Sequence, residues 1–288
     1  MQNPDTPFLK QLSVNSAQYR DPLTQLPWHA LSLADFWLPP AALSLAGVAD
    51  FERQPELVRR RLSQYEFLHF IQAGLWLEGI FVARLSRALR TADSQAAYTY
   101  NLHEIREEAG HSLMFLKLME QSGLHLPHGC FQRPWLADFL GRHAPERSTL
   151  FWLALVIGEE IPDRLNRFVR NNGDAINPLI QQMCRLHIID EARHIARSRH
   201  ALEQYLASTS AVKRRLLTPV ARALLAQFAR TFYLPSPAVY ELAGLGAGRH
   251  WRELARRNPA RAAFVAQCIS PTLQLLQRHG FHIVHPTL

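Results

Sequence analysis

Apolar residues recur at the three- and four-residue spacing of α-helices along most of this chain, and strand-like alternation is scarce. Four long stretches have this pattern and end at capping or stop signals such as Ser94, Gly123 and Asn177. They predict helices over about 55–90, 93 or 94 to 123, 147–171 and 177–207. The pattern therefore predicts an all-α fold built on a four-helix bundle.

The segments on either side of the bundle differ in character. Residues 1–50 are rich in proline and predict an irregular N-terminal segment that wraps the bundle, with a short helix around 40–48. Further helices are predicted near 210–231, 237–244, 248–257 and 259–279. We therefore expect one domain over 1–288, with a core at about 55–207 and accessory C-terminal helices at about 210–280.

Composition and charge narrow the class of protein. The formal net charge is +8, but the basic residues are scattered along the chain, so nucleic-acid binding is not expected. The three cysteines form no CxxC pair, which is typical of a reduced cytoplasmic protein. No run of about 18 apolar residues is present, so no membrane association is expected.

The chemistry of the chain is concentrated in two similar short motifs. Residues 107–111 read EEAGH on the second long helix, and residues 190–194 read DEARH on the fourth. Each contains a Glu-x-x-His pair, which places a carboxylate and an imidazole on one helical face. Four-helix proteins that bind two metal ions take one such pair from each of two helices and one Glu from each of the others. The pairs Glu108/His111 and Glu191/His194 are therefore candidate metal ligands.

The other two helices must each supply one glutamate. Glu78 is the one acid in the apolar stretch FIQAGLWLEGIFVARL of the first helix, and burying it is costly unless a cation or a metal compensates it. The third helix offers the adjacent acids Glu159 and Glu160, of which only one can point to the centre. An arginine partner is the alternative explanation for each of these acids.

Four further residues are candidates for supporting roles. Glu107 and Asp190 each precede a ligand Glu and are expected to accept the free N–H of a ligand histidine. Arg193 is expected to pair with one of these acids. Arg164 has two interpretations: a substrate contact in the pocket, or an ion pair with Asp190 or Glu107.

With these residues assembled, the chain resembles the p-aminobenzoate N-oxygenase family of non-haem diiron enzymes. The resemblance covers roughly residues 28–207 and implies seven metal ligands: Glu78, Glu108, His111, Glu160, His187, Glu191 and His194. A third histidine four residues before the last ligand Glu distinguishes this family, and His187 matches it. The family spacing of about 27 residues to that histidine implies Glu160 rather than Glu159.

The resemblance implies a ferritin-like enzyme with two iron ions and O₂ as co-substrate. It would oxygenate the nitrogen of a small amine to a hydroxylamine, nitroso or nitro product in natural-product biosynthesis. An external reductase or other electron donor would be required, and a homodimer is a possible assembly. The alternatives are another carboxylate-bridged dimetal oxidase, such as a hydroxylase or desaturase, and a non-enzymatic ferritin-like iron-binding protein.

Overall fold

The computed structural model describes residues 5–173 and 175–284, and these residues form α-helices without any β-strand beyond one isolated bridge. The predicted all-α fold is therefore confirmed. The helices are α1 (Thr6–Ser16), α2 (Pro22–Gln25), α3 (Ala49–Glu52), α4 (Glu56–Ala88), α5 (Gln95–Ser122), α6 (Trp135–His143), α7 (Thr149–Asn171), α8 (Pro178–Ala207), α9 (Ala211–Tyr233), α10 (Pro237–Leu242), α11 (Gly248–Arg257) and α12 (Pro259–Arg278).

The four long helices begin and end close to the predicted residues because their capping groups act as the sequence indicates. The side chains of Ser94, Ser148 and Asn177 each accept a hydrogen bond from a backbone N–H in the first turn of α5, α7 and α8. Gly123 ends α5 in the left-handed conformation, with φ of 64°. These caps fix the helix ends and therefore limit which residues face the interior.

The bundle consists of two helix pairs. Helix α4 packs along α5, α7 packs along α8, and α5 contacts α8 across the centre. Large apolar side chains such as Leu68, Ile71, Leu153 and Leu179 are fully buried between the helices. This arrangement is the ferritin-like four-helix bundle expected from the sequence, and its centre is where polar side chains from all four helices meet.

The N-terminal segment wraps the bundle as predicted, but its local structure differs from the prediction. Helix α1, which was expected to be irregular, packs on α5 and α8. The helix predicted around 40–48 is replaced by a single 3₁₀ turn at Pro40–Ala42. The physical reason lies at Ser44, whose backbone N–H donates to the buried carboxylate of Glu66 at 3.0 Å rather than to a helical carbonyl.

The region between α5 and α7 contains a further helix, for which the sequence pattern gave no prediction. Helix α6 follows Pro134 and packs against α4, α7 and α9.

Of the helices that lie within 5–173 and 175–284, none combines the length and apolar character needed to cross a membrane.

The C-terminal helices are attached to the bundle through α7 and α4. Helices α9 and α12 pack against α7, and α10 packs against α4. The buried side chain of Arg261 on α12 donates from Nη1 to the Ala42 carbonyl at 2.6 Å and from Nη2 to the Tyr233 carbonyl at 2.7 Å. One guanidinium therefore joins the N-terminal segment, the end of α9 and α12.

We predict that Arg261→Met lowers the free energy of unfolding by about 3 kcal/mol, because two buried carbonyls lose a charged donor. Urea denaturation followed by circular dichroism measures the change. Arg257→Met on α11 is the control, since its side chain is 72% exposed and its ion pair with Glu253 contributes little. Equal stability of the two variants would contradict the assigned role of Arg261.

Candidate metal centre

Carboxylates and imidazoles from α4, α5 and α8 converge at the centre of the bundle. They form two groups of potential metal ligands, and the ligand atoms within each group lie within 4.8 Å of one another. The first group is Glu78, His111, His187 and Glu191, and the second is Glu108, Glu191 and His194. All six residues are buried, and Glu191 belongs to both groups. Two adjacent ions would therefore have one carboxylate between them.

The two Glu-x-x-His pairs face each other across α5 and α8. His194 Nδ1 lies 3.1 Å from Glu108 Oε1, and His111 Nδ1 lies 3.5 Å from Glu191 Oε1. Each histidine therefore points to the glutamate of the opposite helix. The i,i+3 spacing within each motif allows this because both side chains project from one face.

The acids next to the ligand glutamates hold the outer nitrogens of these histidines in a crossed arrangement. His194 Nε2 lies 2.9 Å from Glu107 Oε2, and His111 Nε2 lies 3.4 Å from Asp190 Oδ2. Arg193 bonds to both acids, with Nη2 2.9 Å from Glu107 Oε1. A histidine that binds metal through Nδ1 needs an acceptor at Nε2–H, and these acids provide it.

The third histidine, His187, also faces the cluster. Its Nε2 lies 3.4 Å from Glu78 Oε1 and 3.7 Å from Glu191 Oε1. Its Nδ1 lies 3.0 Å from the side-chain amide of Asn166 on α7. If Nε2 binds a metal, Nδ1 carries the proton, and the Asn166 amide must present its oxygen to that N–H. Sequence analysis did not identify Asn166.

The structure places the two candidate acids of α7 differently, although neither belongs to the two ligand groups. The Glu160 carboxylate is fully buried and is bonded to Arg199 and to the Thr272 hydroxyl, the latter at 2.6 Å. Glu159 instead borders the small cavity that Glu78 and His187 also line. Its Oε2 accepts a hydrogen bond of 2.6 Å from Ser198. Glu159, rather than Glu160, is therefore the acid of α7 that faces the cluster.

The helical register of α7 explains this difference between the two acids. Asn166 contacts His187, and Glu159 lies seven residues before Asn166, which places both on one face of the helix. Glu160 is rotated by about 100° from Glu159 and meets α8 and α12 instead.

Arg164 does not border the cavity at the cluster. Burial raises the pKa of Asp163 and of Cys268, and the positive charge of Arg164 partly opposes this in both groups. Its guanidinium therefore lies on the side of α7 that faces α12. Within the described residues it forms no ion pair with Asp190 or Glu107, since Arg193 pairs with both. The structure therefore supports neither interpretation of Arg164 that the sequence suggested.

Burial makes ionisation of the acids in the cluster unfavourable in free energy. Burial raises the pKa of Glu78 well above its ordinary value, and repulsion from Glu108 and Glu191 adds to this. Burial also raises the pKa of Glu191, to about 7. With Glu159 included, four carboxylates and three imidazoles surround the centre, and two divalent cations would balance four negative charges.

Two atoms of the cluster have no hydrogen-bond partner. Among the described residues, Glu108 Oε1 and His194 Nδ1 are fully buried and lie 3.1 Å apart, but their alignment is not that of a hydrogen bond and neither has another partner. Buried polar atoms of this kind are rare unless they bind an ion or water. Oxygen and imidazole donors without thiolates suit iron or manganese. The residues present therefore fit a site for two divalent metal ions.

A further buried acid lies one turn before Glu108 and was not found by sequence analysis. Glu104 forms an ion pair with Arg197, which also bonds to Asn101 at 2.5 Å and lies over the ring of Tyr100. The signal was available, because Glu104 and Glu108 are four residues apart on one face of α5. Glu104 is the neighbour that most strongly raises the pKa of Glu159, after burial itself.

Comparison with known proteins agrees with the class that this fold and site define. A model of the p-aminobenzoate N-oxygenase AurF family matches residues 4–280. This is a family of helical diiron oxygenases, and the all-α fold agrees with it. The chain belongs to the p-aminobenzoate N-oxygenase AurF family.

Two mycobacterial proteins illustrate how far relatives diverge. Uncharacterized protein Rv0885 of Mycobacterium tuberculosis H37Rv and uncharacterized protein Mb0909 of Mycobacterium bovis are each 22% identical over 200 residues. Each match covers 67% of this chain and 59% of the relative. The chain thus aligns with less than two thirds of either protein's length.

We predict that Glu159→Gln lowers iron binding below two ions per chain, whereas Glu160→Gln retains two. The amide at 159 removes a negative charge from the cluster, but the amide at 160 weakens only a pairing with Arg199 and Thr272. Iron analysis after anaerobic Fe(II) loading measures both. Iron loss confined to the Glu160 variant would restore the assignment implied by the family spacing.

A second prediction concerns Asn166. Asn166→Ala should weaken iron binding about 10- to 100-fold, because the Nδ1–H of His187 loses its acceptor. Asn166→Asp is the matched control, since it keeps an acceptor oxygen at the same position. Competition with a chromogenic Fe(II) chelator measures the affinities. Wild-type affinity in the alanine variant would exclude a positioning role.

Proposed function

We propose that this protein is an O₂-dependent N-oxygenase that holds two iron ions and oxygenates a small amine. The proposed ligands are Glu78, Glu108, His111, Glu159, His187, Glu191 and His194. The reaction that forms a hydroxylamine consumes the amine, O₂, two electrons and two protons, and it releases water. The electrons would come from an external donor, such as a reductase.

The observation that carries this proposal is the position of His187. A two-metal bundle with four carboxylates and two histidines serves many oxidases. Here a third imidazole lies with its Nε2 3.4 Å from Glu78 and has its own partner in Asn166. When bound, the iron ions would supply O₂ activation, and the chain's residues would hold them, orient them and exclude bulk water.

The cavity beside the cluster indicates the class of amine. It is lined by aromatic rings, including those of Phe70, Phe81 and Phe232, and by the glycines at 74 and 158. No arginine or lysine is among its lining residues. A carboxylate buried there would lack a cationic partner and would be costly. The cavity volume of about 20 Å³ means that the aromatic side chains must move to admit a substrate. We therefore propose an uncharged aromatic amine as substrate.

The function is tested with iron-loaded, chemically reduced protein exposed to ¹⁸O₂. The substrates are p-toluidine and p-aminobenzoate, which differ by a methyl group in place of a carboxylate. Mass spectrometry should show ¹⁸O on the nitrogen of p-toluidine, with p-aminobenzoate oxidised at least tenfold less efficiently. Label on carbon would support a hydroxylase, and iron oxidation without any labelled amine would support an iron-binding protein.

We predict that His187→Ala still loads most of its iron at saturating Fe(II), although with an affinity lowered at least as much as in Asn166→Ala, and that it slows amine oxygenation at least tenfold. The other six ligands still hold the ions, whereas the changed coordination alters the oxygen chemistry. Metal analysis and single-turnover product formation are measured on the same preparation. His143→Ala is the control, since His143 lies on α6 outside the cluster. An unchanged rate in the His187 variant would exclude His187 from the reaction.

A further inference from the structure

A second candidate site lies away from the metal centre. A cleft of about 820 Å³ runs between residues 127–135, the end of α9, and helices α10 and α11. Four arginines line it: Arg133, Arg230, Arg249 and Arg252. We call this feature the basic cleft. Its volume is in the range of pockets that hold a whole small molecule rather than a single ion.

The arginines of the basic cleft are not engaged in ion pairs, although the charge of Arg133 acts on Asp138. In the part of the chain that the structure describes, none of the four forms an ion pair. The partly buried arginines 193, 197 and 199 are all paired. The cleft contains one acid, Glu241, whose Oε1 accepts the backbone N–H of Gly248 at 3.3 Å. The charged lining groups therefore leave an excess of positive charge.

Two polar groups in the cleft have no hydrogen-bond partner. His69 on α4 is 7% exposed, and its Nδ1 is fully buried and unsatisfied. Ser236 Oγ is likewise unsatisfied. Both residues line the basic cleft. Buried polar atoms without partners are costly, and a bound ligand would supply the missing partner.

Two arginines lie close enough to His69 to act on its charge. Burial, with Arg252 and Arg261 nearby, lowers the pKa of His69 to about 4. The imidazole is therefore neutral at pH 7 and offers one N–H donor. Arg252 is oriented by its Nε, which donates to the Pro235 carbonyl at 3.1 Å. A fixed guanidinium and a neutral donor side by side suit an anionic oxygen.

We propose that the basic cleft binds a small molecule that carries two or more anionic groups, phosphate or carboxylate. The guanidiniums would bind the anionic oxygens in bidentate fashion, and His69 would contact the innermost part of the ligand. This site is distinct from the proposed substrate cavity, since His69 precedes Glu78 by nine residues, or about 14 Å along α4. The inference does not depend on the proposed N-oxygenation.

The test is isothermal titration calorimetry of the full chain, without added iron, against pyrophosphate and against citrate. We expect one site per chain with a dissociation constant below millimolar for at least one of them. Tight binding of pyrophosphate alone indicates a phosphate ester, and tight binding of citrate alone indicates a polycarboxylate. Absence of saturable binding for both would overturn the proposal.

Substitutions locate the site. The double variant Arg230→Gln/Arg249→Gln should weaken binding at least tenfold, and His69→Leu should weaken it to a smaller extent. Arg222→Gln is the matched control, because Arg222 is an exposed arginine on α9, two turns before Arg230, and does not line the cleft. Circular dichroism verifies that each variant is folded. Equal weakening by Arg222→Gln, or no weakening in the double variant, would show non-specific attraction to a basic surface.

Discussion

The burial of several carboxylates at the centre of an apolar bundle is the constraint on which the rest of the structure depends. Charges in such surroundings are costly unless they are paired or bind metal. The two Glu-x-x-His motifs meet this cost by facing each other, so that each imidazole lies against the opposite glutamate. Glu107 and Asp190 then hold the outer nitrogens, and Arg193 joins these two acids. Each imidazole at the centre thus contacts a glutamate on one side and an acid on the other, and Arg193 pairs with both of those acids.

This constraint also explains why helices and the N-terminal segment outside the four-helix bundle bond to it. The α7 face that contains Glu159 and Asn166 must stay in register with His187, and α12 contributes to this by bonding Glu160 through Thr272. Arg261 joins α12 to α9 and to the N-terminal segment. The C-terminal helices and the wrapping segment therefore fix the rotational position of α7 about its axis. That position determines whether Glu159 or Glu160 faces the cluster.

Much of the fold was predictable because local chemistry specifies it. Caps at Ser94 and Asn177 and the stop at Gly123 fix the long helices, and the Glu-x-x-His spacing identifies two of the four contributing faces. Three features were not predictable. Glu159 and Glu160 on α7 differ only in the direction in which they project from the helix. Contacts with residues distant in sequence decide which of them faces the cluster. Asn166 has no local signature, since its role arises from a residue on another helix. The segment around residue 44 is held out of helical conformation by the buried Glu66, which is remote in sequence.

We expect the buried acids and imidazoles to form a site for two iron ions. The most direct test is a crystal structure of the iron-loaded protein with anomalous difference maps recorded at the iron absorption edge. We predict two iron peaks per chain that share Glu191, with His187 Nε2 bound to one ion and Glu159 rather than Glu160 in contact with the pair. A single peak, no peak, or a pair of ions bound by Glu160 with His187 turned away would contradict it.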